Sequence, residues 1–202
     1  MIVQGVSISE MLNQSMAVLT KPGVATFEQF EKRGGQREAL TYVMTAAAVA
    51  GIVALLFGLL AGIGAAILSG VLAFVTPVIG FYIFSFLVYT IGRNQGGTGT
   101  QDEVFYTNSL YAAPILGVTG AIGAIPILGC IAAPATLALG IYQLYLGYLA
   151  VRSSMNLDQN KAIVTMVLAI IAQIVITFVI AFVFGLIGAA IGVTTGAIPV
   201  NQ

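Results

Sequence analysis

Residues 40–62 read LTYVMTAAAVAGIVALLFGLLAG and contain no charged side chain. A helix that crosses the hydrocarbon core of a bilayer needs about 20 residues of this kind. Apolar residues make up 59% of the whole chain and charged residues only 7%, whereas about a quarter of the residues in a soluble domain are charged. The sequence therefore predicts an all-α, polytopic membrane protein.

The charged residues of the chain fall into three clusters, separated and followed by long uncharged stretches. The first two stretches, 39–92 and 104–151, are each too long for one membrane span and suit two spans with a hairpin between them. The third stretch, 162–202, supports one strong span before glycine and threonine accumulate. The five predicted spans lie near residues 40–62, 66–91, 106–128, 131–151 and 162–186.

The basic residues predict the orientation, because Lys and Arg in short loops favour the cytoplasm. With five spans and a cytoplasmic amino terminus, all seven Lys and Arg residues fall on the cytoplasmic side. A sixth crossing near the carboxyl end would leave this distribution intact. We expect a cytoplasmic or interfacial amphipathic segment over 1–38, a transmembrane domain over 39–192 and a short non-cytoplasmic tail over 193–202. The expected location is the cell membrane, which is the inner membrane in a prokaryote.

The segment before the first span mixes apolar and polar residues, with Phe27 and Phe30 next to charged side chains. Such a pattern is typical of a helix that lies in the headgroup plane with its aromatic face toward the lipid. A disordered cytoplasmic tail is the alternative, chiefly for the residues up to Thr20.

No catalytic or cofactor chemistry is predicted. The chain has no His and a single cysteine, Cys130, which we place at the non-cytoplasmic tip of the second hairpin. The adjacent carboxylates Asp102 and Glu103 precede the third span, where acids cap a helix amino end. The glycine-rich loop 93–103 lacks the Gly-Lys-Ser/Thr of a phosphate-binding loop and is interpreted as a flexible connector. We therefore expect no enzyme, no cofactor and no metal site.

Polar and aromatic side chains concentrate in the cytoplasmic half of the predicted spans. The functional hypothesis is an aromatic cavity that is open to the cytoplasm and holds a lipid headgroup. Hydrogen bonding between packed helices is the alternative, and it is favoured because polar residues often join helices in this way. The candidate lipid- or partner-binding residues are Tyr82, Tyr89, Asn108, Tyr111, Tyr142, Gln143 and Tyr145.

Small residues recur at four-residue spacing in two places, a pattern that lets helices approach closely. We expect this packing within the monomer rather than in a homo-oligomer. The residues predicted to pack helices are Gly58, Gly62, Gly188, Gly192 and Gly196.

Several short motifs, in this order and spacing, resemble those of the Yip1 domain proteins. They are Leu19-Thr-Lys-Pro22 with Thr26-Phe27, Gly96-Gly97, Tyr106 to Tyr111-Ala-Ala-Pro114, Ile125-Pro126-Ile-Leu-Gly129, Ile141-Tyr142-Gln-Leu-Tyr145 and Lys161-Ala162. The resemblance implies a five-helix membrane domain with a cytoplasmic amino terminus. Similar eukaryotic proteins are associated with Rab GTPases and vesicle traffic. The present chain lacks their Asp-Leu-Tyr-Gly-Pro motif and their long cytoplasmic region, and it is similar to the compact prokaryotic branch.

Two functions are consistent with these features. The first is a non-enzymatic membrane organiser that binds lipids or partner proteins through its cytoplasmic face, and the alternative is a small transporter or lipid-handling protein that uses the aromatic cavity. The expected partners are membrane lipids and membrane or peripheral proteins. Nucleic acid is excluded, because the basic residues form no dense stripe.

Overall fold

The computed structural model of the protein describes the backbone of residues 5–194 and the side chains of residues 5–180 and 182. Throughout these residues the secondary structure is helical, without a β-strand. The helices are α1 (Ile8–Thr20), α2 (Val24–Glu28), α3 (Gln36–Gly58), α4 (Ile63–Asn94), α5 (Gln101–Ala124), α6 (Leu128–Ile131), α7 (Ala133–Ser154) and α8 (Gln159–Thr194).

The helix bundle has one charged end and one apolar end. One end of the bundle is formed by α1 and α2, by the starts of α3, α5 and α8, and by the ends of α4 and α7. We call it the charged end. Contacts between distant parts of the chain hold it together: the Gln36 amide donates to Asp102 Oδ1 at 2.9 Å, and the Thr98 amide donates to the Met155 carbonyl at 3.0 Å. Every charged residue of the chain belongs to this end. The opposite, apolar end holds the α3–α4 turn and the short helix α6.

Helix α5 is the centre of the bundle and corrects the predicted number of spans. It contacts α1, α3, α4 and α7, and every side chain from Val104 to Tyr111 is buried. Within the described residues, four helices rather than five are long and apolar enough to cross a membrane, namely Gln36–Ala61, Ile63–Asn94, Ala133–Ser154 and Gln159–Ile180. The predicted span 106–128 corresponds to α5, which is absent from this group. A helix enclosed by other helices needs no apolar surface for lipid, and α5 instead carries Thr107, Asn108 and Ser109 in its buried half.

The amino-terminal segment folds back onto the bundle. Helix α1 buries Met11 and Val18, and the Ser15 hydroxyl shares a hydrogen bond of 3.0 Å with the Tyr42 hydroxyl. Phe27 of α2 is fully buried and meets the ring of Tyr111 edge-on, with ring centroids 6.4 Å apart. The aromatic face of this segment therefore contacts protein, where the sequence predicted contact with lipid.

The opposite face of α1 is apolar and exposed. Ile8, Leu12 and Met16 follow one another at four-residue spacing, so their side chains form one stripe along the helix. The exposed apolar stripe of α1 is typical of a helix that lies at the membrane interface. It faces away from the bundle, whereas Phe27 faces into it.

The capping prediction for the two adjacent carboxylates is confirmed for Glu103. Its side chain accepts a hydrogen bond of 2.7 Å from the Thr100 amide, while the Thr100 hydroxyl accepts from the Glu103 amide. Asp102 instead caps the start of α3 through Gln36. The glycine-rich loop between α4 and α5 lies against the α7–α8 turn, where the Asn156 side-chain amide donates to the Thr98 hydroxyl at 3.1 Å. It is a packed connection rather than a flexible one.

The predicted packing glycines have different surroundings. A Cβ at Gly58 would lie 2.7 Å from Ala66 Cα, which marks a close approach of α3 and α4. Gly62 begins α4 with φ +114°, a conformation that L side chains rarely adopt, and it serves the turn rather than the packing. Gly188 and Gly192 lie in α8 with surroundings outside the described side chains, and Gly196 lies outside the described residues altogether.

Candidate functional site

A cavity of about 480 Å³ lies inside the bundle, between α3, α4, α5, α7 and α8. We call it the central cavity. Its walls are mainly apolar, and no Asp, Glu, Lys or Arg is among the lining residues. The lining residues are Val43, Pro77, Gly80, Phe81, Phe84, Tyr111, Ala112, Leu116, Thr119, Gly140, Gln143, Leu144, Met166, Ile170 and Gln173.

The two glutamines of the central cavity fall within the hydrocarbon core when the charged end is placed at the membrane surface. Gln143 is eleven residues before Ser154 at the end of α7, or about 16 Å at 1.5 Å per residue. Gln173 is fourteen residues after Gln159 at the start of α8, or about 21 Å. A hydrocarbon core is about 30 Å thick, so with the charged end at the membrane surface Gln143 lies near the middle of the core and Gln173 lies about 9 Å from its far side.

The inner wall of the cavity is closed, and its outer wall reaches the surface of the bundle. Val43, Phe81 and Tyr111 are buried, and Phe27 covers Tyr111 on the side of the charged end. On α7, Leu144 is 50% exposed and Gly140 is exposed as well. The cavity is thus bounded by lipid-facing residues of α7.

Two of the polar groups in the cavity wall are satisfied by the protein itself. The Tyr111 hydroxyl donates to Asn108 Oδ1 at 3.4 Å, and Asn108 Nδ2 donates to the Ser85 hydroxyl at 3.2 Å. The Thr119 hydroxyl donates to the Ile115 carbonyl at 2.7 Å within α5. The first chain of hydrogen bonds joins α5 to α4, and the second is satisfied within α5 itself.

The two glutamines in the wall differ from the other polar groups. Within the described part of the chain, the carboxamide of Gln173 makes no hydrogen bond, and its Oε1 is buried without a partner. No hydrogen bond of the Gln143 carboxamide is formed with any described residue either. A buried polar atom without a partner is costly in an apolar environment, so Gln173 Oε1 is the atom of the cavity wall most in need of a donor, and the half-buried Gln143 amide is free to join it in binding an additional molecule.

The charged end carries a second polar site, centred on Glu31. The Ser153 hydroxyl donates to Glu31 Oε2 at 2.9 Å, and Lys32 Nζ lies 3.6 Å from Glu31 Oε1. Burial raises the pKa of the Glu31 carboxyl above its ordinary value of 4.5, and the charge of Glu103 raises it further, against the lowering effects of Ser153 and Lys32. Glu31 thereby joins the segment after α2 to the end of α7.

Comparison with known proteins assigns the chain to a family. The family model of the Yip1 domain matches residues 16–181, a range that runs from α1 into α8 and includes every lining residue of the central cavity. The chain belongs to the Yip1 domain family. No curated protein and no solved structure matches it.

In this Yip1 domain, the residues predicted to bind a lipid or partner do not form one site. Tyr111 and Gln143 line the central cavity, and Asn108 lies behind Tyr111. Tyr142 points away from the cavity, since its hydroxyl donates to the Leu19 carbonyl of α1 at 2.7 Å.

The other three predicted residues lie outside the cavity. Tyr82 is 41% exposed and meets the ring of Phe105 at a centroid distance of 5.3 Å. Tyr145 is 47% exposed and lies beside Tyr142. Tyr89 is half-buried against the core near the charged end.

Sequence reasoning missed Gln173, the most unusual residue of the cavity. A signal was present, because Gln173 is the one glutamine within the otherwise apolar predicted span 162–186. Phe81 and Phe84 were missed for a different reason: in a span where nearly every residue is apolar, nothing in the sequence separates a cavity wall from a lipid-facing side chain.

Proposed function

We propose that this Yip1 domain protein is a non-enzymatic, multi-pass membrane protein that binds membrane lipids or partner proteins at its charged end, with this end in the cytoplasm. The observation that carries the proposal is the collection of all charges of the chain at one end of the bundle. The positive-inside rule favours the cytoplasm for that end. Cytoplasmic lipid surfaces carry negative charge, which attracts basic residues close to the membrane.

The basic residues of the charged end fall into two classes. Among the described residues, Lys32 and Arg33 form salt bridges, at 3.6 Å with Glu31 and at 3.7 Å with Glu10. The other basic residues form none, and those that also make no side-chain hydrogen bond within the described chain are Lys21, Arg37 and Lys161. Lys21, Arg37 and Lys161, which form no salt bridge or side-chain hydrogen bond with the described residues, are the candidates for contact with anionic headgroups.

The test is lipid retention, measured by native mass spectrometry after purification from membranes that contain anionic and zwitterionic phospholipids. We expect the wild-type protein to retain anionic lipid preferentially. The triple variant Lys21→Gln, Arg37→Gln, Lys161→Gln should lose this preference, while Lys32→Gln, whose charge is already paired, should keep it. Equal retention of both lipid classes by all three proteins would contradict lipid binding at the charged end.

A lipid-handling role is the second candidate, and the central cavity favours it. Its volume of about 480 Å³ lies within the range of about 300–1,000 Å³ that is typical of sites for small organic molecules. Its walls combine apolar surface with the side-chain amides of Gln143 and Gln173, and Gln173 Oε1 is buried without a partner among the described residues. A transporter would also need the cavity to open toward both sides in turn, which the same lipid-retention experiment does not address. Flux of a labelled lipid between the leaflets of a vesicle would distinguish transport from binding.

A further inference from the structure

The central cavity has the properties of a binding site for one class of molecule, and this inference rests on the second function proposed above. The first property is neutrality. No ionisable Asp, Glu, Lys or Arg side chain lines the cavity, so a charged ligand at this depth would have no counter-charge. The ligand must therefore be uncharged.

The second property is the demand for a hydrogen-bonding group. A glutamine carboxamide offers two N–H donors and one carbonyl acceptor, and rotation about its last torsion brings either side toward the cavity. The Gln173 oxygen is buried and lacks a donor among the described residues, and the half-buried Gln143 amide lies in the same wall without a hydrogen bond to any described residue. A hydroxyl group matches this pair, because it donates to one amide oxygen and accepts from the other amide nitrogen. An ester carbonyl accepts only and would leave the oxygen of Gln173 without a donor.

The third property is size. A water molecule accounts for about 30 Å³ of liquid volume and a methylene group is similar in size, so 480 Å³ has room for about 16 non-hydrogen atoms. This is one chain with a small polar end, and a phospholipid with two full chains does not fit. The aromatic and aliphatic side chains Phe81, Phe84 and Ile170 supply the apolar contact for such a chain.

The fourth property is the direction of access. Tyr111 and Phe27 close the cavity toward the charged end, and the exposed residues Gly140 and Leu144 border it on the lipid side. A Cβ at Gly140 would meet no other atom within 4 Å, so this position leaves space beside the cavity. A ligand enters from the hydrocarbon core rather than from the cytoplasm.

We propose that the central cavity binds the hydroxyl-bearing end of an uncharged single-chain lipid, with the carboxamides of Gln143 and Gln173 paired to the hydroxyl and the chain leaving past Gly140. The two glutamines select the polar group at the end of the lipid. The aromatic wall requires only that the rest of the lipid chain is apolar.

The test uses three photoactivatable single-chain probes on the purified protein in lipid nanodiscs: a monoacylglycerol, the fatty acid methyl ester and an alkyl sulfate, which stays ionised in an apolar cavity. Cross-linked peptides are located by mass spectrometry. We expect the monoacylglycerol to label peptides of α7 and α8 around the cavity, and the ester and the sulfate to label them about five- to tenfold less, as expected for one hydrogen bond lost or one unpaired charge.

Two substitutions test the residues. Gln173→Leu should reduce monoacylglycerol labelling about five- to tenfold without lowering the melting temperature, because no hydrogen bond of the described protein is lost. Gln159→Leu, at the exposed start of the same helix, is its matched control. Gly140→Leu should block entry of the probe into the cavity. Gly123→Leu is the control, because a Cβ at either glycine meets no atom within 4 Å, but only Gly140 lies in the cavity wall.

Equal labelling by the three probes, or a Gln173→Leu protein that labels like the wild type, would overturn recognition of the hydroxyl. Absence of labelling around the cavity in the wild-type protein would overturn the site itself. If anionic lipid is nevertheless retained through Lys21, Arg37 and Lys161, the site in the cavity fails while the function proposed for the charged end stands.

Discussion

At the scale of single residues, the contacts that matter most join segments far apart in the chain. The Tyr106 hydroxyl donates to Gln14 Oε1 at 2.8 Å, and both side chains are buried. Gln14 also holds Glu10 through a hydrogen bond of 3.3 Å, and Glu10 in turn pairs with Arg33. Tyr106 of α5 thus anchors a chain of polar contacts that runs through Gln14 and Glu10 of α1 to Arg33.

Gly58 is a residue at which a single methyl group should destabilise the fold. In the Gly58→Ala variant the new Cβ would lie 2.5 Å from Ser69 Oγ and 2.7 Å from Ala66 Cα, so the α3–α4 hairpin would have to open. We expect a loss of about 1–3 kcal/mol, measured as a lower melting temperature in detergent. Gly64→Ala is the control, because a Cβ there meets nothing within 4 Å. Equal melting temperatures of the two variants would contradict the close approach.

Glu31 should make stability depend on pH. Burial raises the pKa of its carboxyl, so the folded protein favours the protonated form more than the unfolded chain does. Its contribution to stability is therefore greatest below pH 4.5 and is lost as the pH rises through the raised pKa of the folded state.

The variant Glu31→Gln should remove this dependence, because its amide oxygen still accepts from Ser153 but carries no charge to bury. We expect its melting temperature to exceed that of the wild type at pH 7 and to approach it at pH 4. Glu28→Gln, which changes an exposed carboxylate, should follow the wild type at both values. If the melting temperature of Glu31→Gln followed that of the wild type at both pH values, ionisation of Glu31 would not lower the stability of the folded protein.

At the scale of the helices, α1 is an independent element that docks on a bundle formed by the longer helices. Its contact face combines the apolar residues Met11 and Val18 with the polar residues Gln14 and Ser15, and the last two reach tyrosines of α5 and α3. Such a mixed interface specifies the position of α1, and α1 contacts the bundle much less extensively than α3 contacts α4 and α5. We infer that α1 is the part of the bundle most easily released.

Val18→Asp should release α1 without unfolding the rest. Val18 is fully buried, and an unpaired carboxylate there costs several kcal/mol. Hydrogen–deuterium exchange of residues 8–20 should then increase strongly while α5 and α7 stay protected. The exposed position Asn13 provides the control, as Asn13→Asp introduces the same charge outside the interface. Exchange that rises throughout the protein would mean that α1 is part of the cooperative core.

At the scale of the whole molecule, the separation of charged and apolar ends predicts how the protein sits in the membrane. Cys130, the free cysteine of the chain, is exposed in α6 at the apolar end. If the charged end is cytoplasmic, a membrane-impermeant thiol reagent added to intact cells should label Cys130. In a Cys130→Ser background, Asn160→Cys at the exposed start of α8 should be labelled only after the cells are opened. The reverse pattern would invert the orientation.

The sequence by itself determined the class of the protein, the helical segments and the collection of charges at one end. A run of about 20 apolar residues crosses a bilayer as a helix, because only a helix pairs the backbone N–H and C=O groups within the segment itself. Clusters of charge likewise mark the segments that stay in water. Residues 40–62 illustrate this, because the predicted span lies in α3 and in the turn that leads to α4.

Only the tertiary structure decided which faces meet. It placed α5 at the centre, turned Phe27 and Val18 into the protein and brought Gln143 and Gln173 into one cavity. In a soluble protein, the hydrophobic pattern of a helix separates inside from outside. In a membrane, the lipid and the protein interior are equally apolar, so the hydrophobic pattern does not show which face of a helix contacts lipid and which contacts protein. Close packing and a few hydrogen bonds determine the arrangement.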